Sequence, residues 1–391
     1  MKILVDIRPL MDVKYSGVSE YVMRLLSALF KIDKTNQYIL FCNALHDVEK
    51  RLPKFDQPNV KTVVTHIPNK IFNYLFLWPF GRPRFDKLIN EKVDIFFMPH
   101  LQFAAMSSSV KSVLTIHDLS FLINKHWFSW RKNIWHWFIN VKRLTRKFNK
   151  IIAVSNNTKQ DLVALCKLNE EKITVIHSGI DQVFKKIPET DEQLKIVKAK
   201  YNLVRPFILF LATLEPRKNV EGLIEAFEII RKTNRYPDLQ LVLVGALGWK
   251  AQPIIAKVNN SLFKADIIKL DYVLAEERPY LYNLAVAFAY PSFYEGFGFP
   301  PLEAMASGTP VVASASSSLP EIIETAGILI DPYNPNSIAL GLSTILDNPE
   351  LANDLSLKGL EQAKKFSWEK TAEEYLKVFE NLNKSQVTSD K

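Results

Sequence analysis

Short apolar runs rich in β-branched and aromatic residues alternate along this chain with longer amphipathic stretches, and that alternation restricts the fold more than any other feature. One set of runs covers 3–7, 38–41, 62–65, 95–98, 112–116 and 151–154; a second covers 207–211, 239–244, 267–270, 286–290, 311–313 and 328–330. Between them, 20–30, 220–232, 276–284 and 352–364 carry apolar residues at helical spacing. Apolar strands separated by helices are what parallel sheets buried on both faces require, so the chain reads as α/β with two such sheets.

Length agrees: 391 residues exceed the usual size of a single core. The charged segment 184–204, helical in its second half, separates the two strand sets and marks the expected domain boundary. Open parallel sheets bind ligands at the carboxyl ends of their strands, so the chemistry is expected in a cleft between two facing sheets.

With 48% hydrophobic and 23% charged residues, the composition is that of an ordinary globular protein. Cys42 and Cys166 stand far apart without metal or redox spacing and read as buried free thiols. Asp6 and Arg8 interrupt the stretch a signal peptide would need, so the N-terminus reads as a first strand and the expected location is cytoplasmic. No run approaches the roughly 20 apolar residues needed to cross a bilayer. A net charge of +9 fits nucleic acid, an anionic membrane surface or phosphorylated small molecules as partners, and position separates these better than the total.

The most informative string runs from Tyr290 to Val312, YPSFYEGFGFPPLEAMASGTPVV, and reads as strand, glycine-bearing loop, short helix, turn and strand. Gly296 and Gly298 let backbone N–H groups approach a ligand, and the helix opening near Pro300 and Pro301 turns its positive end toward the loop, an anion site in outline. Glu295 is placed to accept hydrogen bonds from sugar hydroxyls and Glu303 to take the vicinal hydroxyls of a ribose; singly, each also reads as a solvated glutamate beside a turn. Arg217 and Lys218 lie between an apolar strand and an amphipathic helix, where cations can neutralise a diphosphate or simply start a solvated helix.

Gly17 opens the first helix after the first strand. His117 and Asp118 end the strand 112–116; His117 reads as a ligand contact or a satisfied structural residue, and Asp118 as orienting that ring or touching an acceptor. Ser155 follows the strand 151–154, where it caps a helix or meets acceptor, capping being the favoured reading.

The string 290–312 resembles the family-4 retaining glycosyltransferases, whose hallmark is Glu, seven residues, Glu within YEGFGxPxLEAMAxGxPVV. The likeness extends through Ser318-Leu-Pro-Glu321, Ala326-Gly327 and Asp331-Pro332. It implies the GT-B fold, two facing Rossmann-like domains with parallel sheets and a cleft between them, the donor held mainly by the C-terminal one. The segment 366–382 is similar to the family's final helix, which crosses back to the first domain. The expected division is therefore 1–188 with 369–391, a linker at 189–199, and 200–368.

Carried over residue by residue, the resemblance implies His117, Arg217, Lys218 and Glu295 at the reaction centre, with Gly17, Val273, Gly296, Phe297, Gly298 and Glu303 on the donor. Asp118 and Ser155 are the acceptor-side candidates. Many relatives carry an arginine nearer the strand end, where this chain has Thr213, which shifts the load to Arg217.

The implied reaction moves a hexose, of mannose or glucose type, from a nucleotide-diphosphate sugar to a glycan or lipid-linked hydroxyl with retention. Cations stand in for a metal, and no cofactor is implied. The alternative is an inactive nucleotide-sugar or glycan binder on the same fold. Phosphorylases and epimerases of that architecture have no motif here, and no nucleic-acid recognition module is present.

The segment 126–150 mixes Trp127, Trp130, Trp135 and Trp137 with seven lysines and arginines. It reads either as a helix that docks on an anionic bilayer surface or as an ordinary helix with a solvated basic face; 71–80 with Arg82 and Arg84 is a second such candidate.

Overall fold

The computed structural model describes residues 1–11, 17–44, 52–68, 71–72 and 84–387. It divides into two compact units: 1–122 with 130–179 and 368–391, and 123–129 with 180–367. The boundary thus falls at Gly179 and Ile180, before the expected linker. Residues 189–199 belong to the second unit, where most of them form the helix Glu192–Lys200, which packs on the helix Arg278–Leu284.

Among the described residues of the first unit seven parallel strands, β1 (Lys2–Asp6), β2 (Gln37–Asn43), β3 (Val60–Thr65), β4 (Ile95–Met98), β5 (Lys111–Ile116), β6 (Lys150–Ala153) and β7 (Ile173–Val175), take the order β3-β2-β1-β4-β5-β6-β7. β1 and β4 to β6 are almost wholly buried, which explains their unbroken apolar runs. The chain winds outward from β1 to β3 and then returns to β4, so the switch point lies between β1 and β4. The last helix, Trp368–Val387, packs on the first, Gly17–Ile32. Between them the Tyr375 hydroxyl meets those of Tyr21 and Thr115, each at 2.7 Å, a buried chain that satisfies all three.

The second unit has six parallel strands, β8 (Phe207–Leu211), β9 (Gln240–Val244), β10 (Ile267–Leu270), β11 (Ala287–Tyr290), β12 (Val311–Ser314) and β13 (Gly327–Ile330), in the order β10-β9-β8-β11-β12-β13. Its switch point lies between β8 and β11. The loops leaving those two strands carry Arg217 with Lys218, and Glu295. The topology alone therefore brings the two most informative motifs to one sheet edge.

The segment 126–150 is not one helix. Asn140 adopts a left-handed conformation, φ 47°, and its side chain caps the Arg143 amide, so two helices form, Trp130–Ile139 and Val141–Lys147. Trp127 precedes both and is buried in the second unit, stacked parallel to Phe293, while Trp249 donates to its carbonyl. Trp127 thus leaves the expected lipid-facing set. Of the second amphipathic candidate, only Ile71, Phe72 and Arg84 lie among the described residues.

Candidate functional site

The site at the β8/β11 edge is built on a buried ion cluster. Lys218 donates to Glu295 Oε1 and to the Tyr290 hydroxyl, both at 2.6 Å. Arg217 reaches Glu295 Oε2 at 3.1 Å, the Tyr294 carbonyl at 2.8 Å and Glu215 Oε1 at 3.0 Å. Two cations and two carboxylates share one enclosed space, so their charges cancel. Burial raises the Glu295 carboxyl, but Arg217 and Lys218 outweigh it and bring its pKa down to about 2. Burial and the neighbouring guanidinium depress the Lys218 ammonium, against the pull of Glu295. Sequence reasoning placed Arg217, Lys218 and Glu295 at the site but missed Glu215, whose two-residue spacing from Arg217 is common in loops and carries no signal.

The Glu295 loop is fastened from the next strand. Ser317 Oγ accepts from the Glu295 amide at 2.8 Å, and Ser318 Oγ donates to the carbonyls of Glu295 and Phe297 at 3.1 and 2.6 Å. Gly298, at φ 120°, turns the chain into the helix Phe299–Ala306, and a Cβ there would lie 2.8 Å from Leu319 Cδ2. Any side chain at 298 is therefore strained, chiefly by the backbone conformation. Gly296 and Phe297 are buried in the same loop, whose following helix directs its amide end toward it.

Glu303 lies on the buried side of that helix. Its Oε2 accepts from the Tyr282 hydroxyl at 2.7 Å, and its Oε1 is 3.8 Å from Arg278. Neither partner was foreseen. Val273 is buried after β10 between two exposed neighbours, Tyr272 and Leu274.

In the first unit His117 stands at the end of β5. Its Nε2 is 2.8 Å from the Pro99 carbonyl oxygen, which only accepts; the proton therefore sits on Nε2 and Nδ1 is the ring's acceptor. Burial lowers its pKa, opposed by Pro99 and Asp118. Asp118 does not orient the ring: its Oδ1 takes the Ser120 amide and hydroxyl at 3.1 and 2.7 Å. Ser155 is a helix cap, accepting from the Thr158 amide at 3.1 Å, and is fully buried, in line with the favoured capping reading. Gly17 is exposed, and among the described residues a Cβ would meet nothing within 4 Å.

A second cluster went unforeseen. At the β1/β4 switch point Arg8 forks onto Asp6, its shortest contact 2.6 Å, and donates to the Phe103 carbonyl at 2.8 Å. Beside them His100, 6% exposed, has no hydrogen bond at either ring nitrogen among the described residues; its Nε2 is 3.6 Å from Asp6 Oδ2. Burial brings its pKa down to about 4 despite Asp6, so the ring is neutral.

Residues 191–362 match the model of glycosyl transferases group 1, and 15–183 match that of glycosyltransferase family 4. Over 235 residues the chain is 34% identical to an O-antigen chain mannosyltransferase B of Escherichia coli, covering 59% of this chain and 60% of that protein. Over 288 residues it is 31% identical to the serotype-specific mannosyltransferase WbdA of the same organism, covering 72% of this chain and 34% of that protein. The match thus spans less than two thirds of either relative. Among solved structures, the sucrose-phosphate synthase of Thermosynechococcus elongatus superposes with a TM-score of 0.75 at 22% identity, covering 98% of this chain and 99% of that one. HepE of Anabaena, solved with UDP-glucose, gives 0.72 at 16% identity, covering 97% of this chain and 100% of that one. Two parallel-sheet units, the hallmark loop at a switch point and the two family matches together place this chain among the group 1 and family 4 glycosyltransferases, with the GT-B fold.

Proposed function

We propose that the protein transfers a mannose-type hexose from a nucleotide-diphosphate sugar to a hydroxyl of a glycan or lipid-linked acceptor, with retention and without a metal, in the assembly of a polysaccharide or glycolipid. The observation that carries this reading is the Glu295–Lys218–Arg217 cluster, fixed at the β8/β11 edge beside the Gly298 turn. The relatives named as O-antigen and serotype-specific mannosyltransferases support the sugar and the kind of product. HepE, solved with UDP-glucose, supports a nucleotide sugar as donor.

In this reading the second unit holds the nucleotide. Loop amides and the start of the helix Phe299–Ala306 take phosphate oxygens, Glu303 takes ribose hydroxyls, and the backbone around Val273 meets the base. Arg217 and Lys218 offset the charge that grows on the diphosphate as its bond to the sugar C1 breaks. They are oriented beforehand by Glu215 and Glu295, so no reorganisation accompanies the reaction. In the second unit Glu295 accepts from sugar hydroxyls and helps fix the ring; in the first, His117 Nδ1 is available to accept a hydrogen bond. The acceptor oxygen bonds C1 on the face the phosphate leaves, and its proton passes to the departing phosphate oxygen.

The test is a screen of GDP-, UDP- and dTDP-sugars with EDTA present, following both thermal stability and donor hydrolysis. One donor is expected to stabilise the protein and turn over. Binding without turnover for every donor and acceptor favours the inactive binder, and turnover abolished by EDTA removes the metal-free mechanism.

A further inference from the structure

Residues 119–160 contain nine of the chain's fifty lysines and arginines and none of its forty-one acidic residues. The chain's net charge is +9, so the rest of the protein is neutral and its entire positive excess sits in this one stretch. The structure turns that charge outward. The helix Val141–Lys147 buries Val141, Leu144 and Thr145 and exposes Lys142, Arg143, Arg146 and Lys147.

The preceding helix, Trp130–Ile139, has the opposite polarity from an ordinary surface helix. Its inner side offers Ile139 to the core and stacks His136 on Phe121 with the rings 3.9 Å apart. Its outer side presents Trp130 at 67% and Trp137 at 74% exposure, with Ile134 and Phe138 also exposed. Positions 130, 134, 137 and 138 share one helical face. Arg131 and Lys132 are exposed on the same helix. An apolar face turned outward, with cations beside it and no carboxylate anywhere in the stretch, matches a surface that is apolar a few ångströms deep and negatively charged at its boundary.

We propose that this surface docks on an anionic lipid bilayer, with Trp130, Ile134, Trp137 and Phe138 entering the interface and Arg131, Lys132, Lys142, Arg143, Arg146 and Lys147 meeting headgroups. Charge selects the occupant. A nucleic-acid duplex would pair with the cations but leave the apolar face in water, a single strand would stack on the tryptophans but leave Ile134 without a role, and an apolar protein partner would leave the cations without one. The inference stands apart from the transferase reading, since lipid binding is measured without donor or acceptor.

The experiment is co-sedimentation of the full chain with vesicles of phosphatidylcholine alone and with about a third phosphatidylglycerol. Each lysine or arginine near an anionic surface adds roughly fivefold to partitioning, so binding to the anionic vesicles is expected to exceed that to neutral ones by at least roughly a hundredfold and to fall with salt. Trp130→Ser with Trp137→Ser is expected to reduce it more than tenfold with unchanged thermal stability, since both side chains are exposed. Leu262→Ser, at an 82% exposed position in the other unit, is the control and leaves binding intact. Equal binding to neutral and anionic vesicles overturns the proposal. So does full binding by the double tryptophan variant, or a dimer that the double variant converts to monomer while vesicle binding stays undetectable.

Discussion

At the residue scale the ion cluster confounds simple mutagenesis. Glu295→Ala leaves the buried Lys218 without its carboxylate and Arg217 with Glu215 alone, and breaking such a pair costs about 3–5 kcal/mol, so lost activity alone would not separate chemistry from folding. Glu295→Gln combined with Lys218→Met removes both charges at similar volume. Urea denaturation of the double variant is expected to recover most of the stability lost in Glu295→Ala, while transfer stays down at least roughly a hundredfold, the usual cost of losing an oriented charge donor. Recovered transfer would make the pair purely structural. The pH dependence follows from the same pair. Glu295 has a folded pKa of about 2 against an ordinary value of 4.5, so its contribution to stability is complete above that ordinary value and disappears as pH falls toward 2. The acid-side decline in the urea midpoint is therefore expected to be shallower in Glu295→Gln than in the parent. An identical decline would place the acid-labile group elsewhere.

At the scale of elements, strands were legible because those buried on both faces must be continuously apolar; three-residue β7, at the sheet edge, has no such run and escaped notice. Polar placement was harder to read. Glu215, Tyr282 and the serines at 317 and 318 act through contacts between distant chain segments, and no local spacing announces them. The hallmark string identified Gly298 for its flexibility, and the structure adds a measurable reason. Gly298→Ala meets a φ of 120° and the Leu319 side chain together, a strain of about 1–3 kcal/mol that falls on one loop. Its expected signature is a nucleotide dissociation constant raised at least tenfold with secondary structure unchanged by circular dichroism. Unchanged affinity would mean that this loop does not carry the phosphates.

At the scale of the whole molecule the chain has two cores, each closed around its own parallel sheet, and the sequence boundary between them was misplaced for a physical reason. The helix Glu192–Lys200 is charged and looks like a solvated linker, yet Lys200 and Tyr201 both hydrogen-bond Glu277, each at 2.6 Å, tying it into the second unit. A nucleotide held by that unit alone should stabilise it selectively. At a hundredfold excess over its dissociation constant a ligand adds about 2.7 kcal/mol, and a domain of ~150–250 residues gains about 2–4 °C per kcal/mol. Calorimetry of the full chain is therefore expected to resolve two transitions, one raised by roughly 5–10 °C on adding the donor nucleotide and the other unmoved. Limited proteolysis near the higher transition identifies which survives: fragments from 180–367 support assignment of the nucleotide to the second unit, whereas selective survival of 130–179 would move the donor to the first.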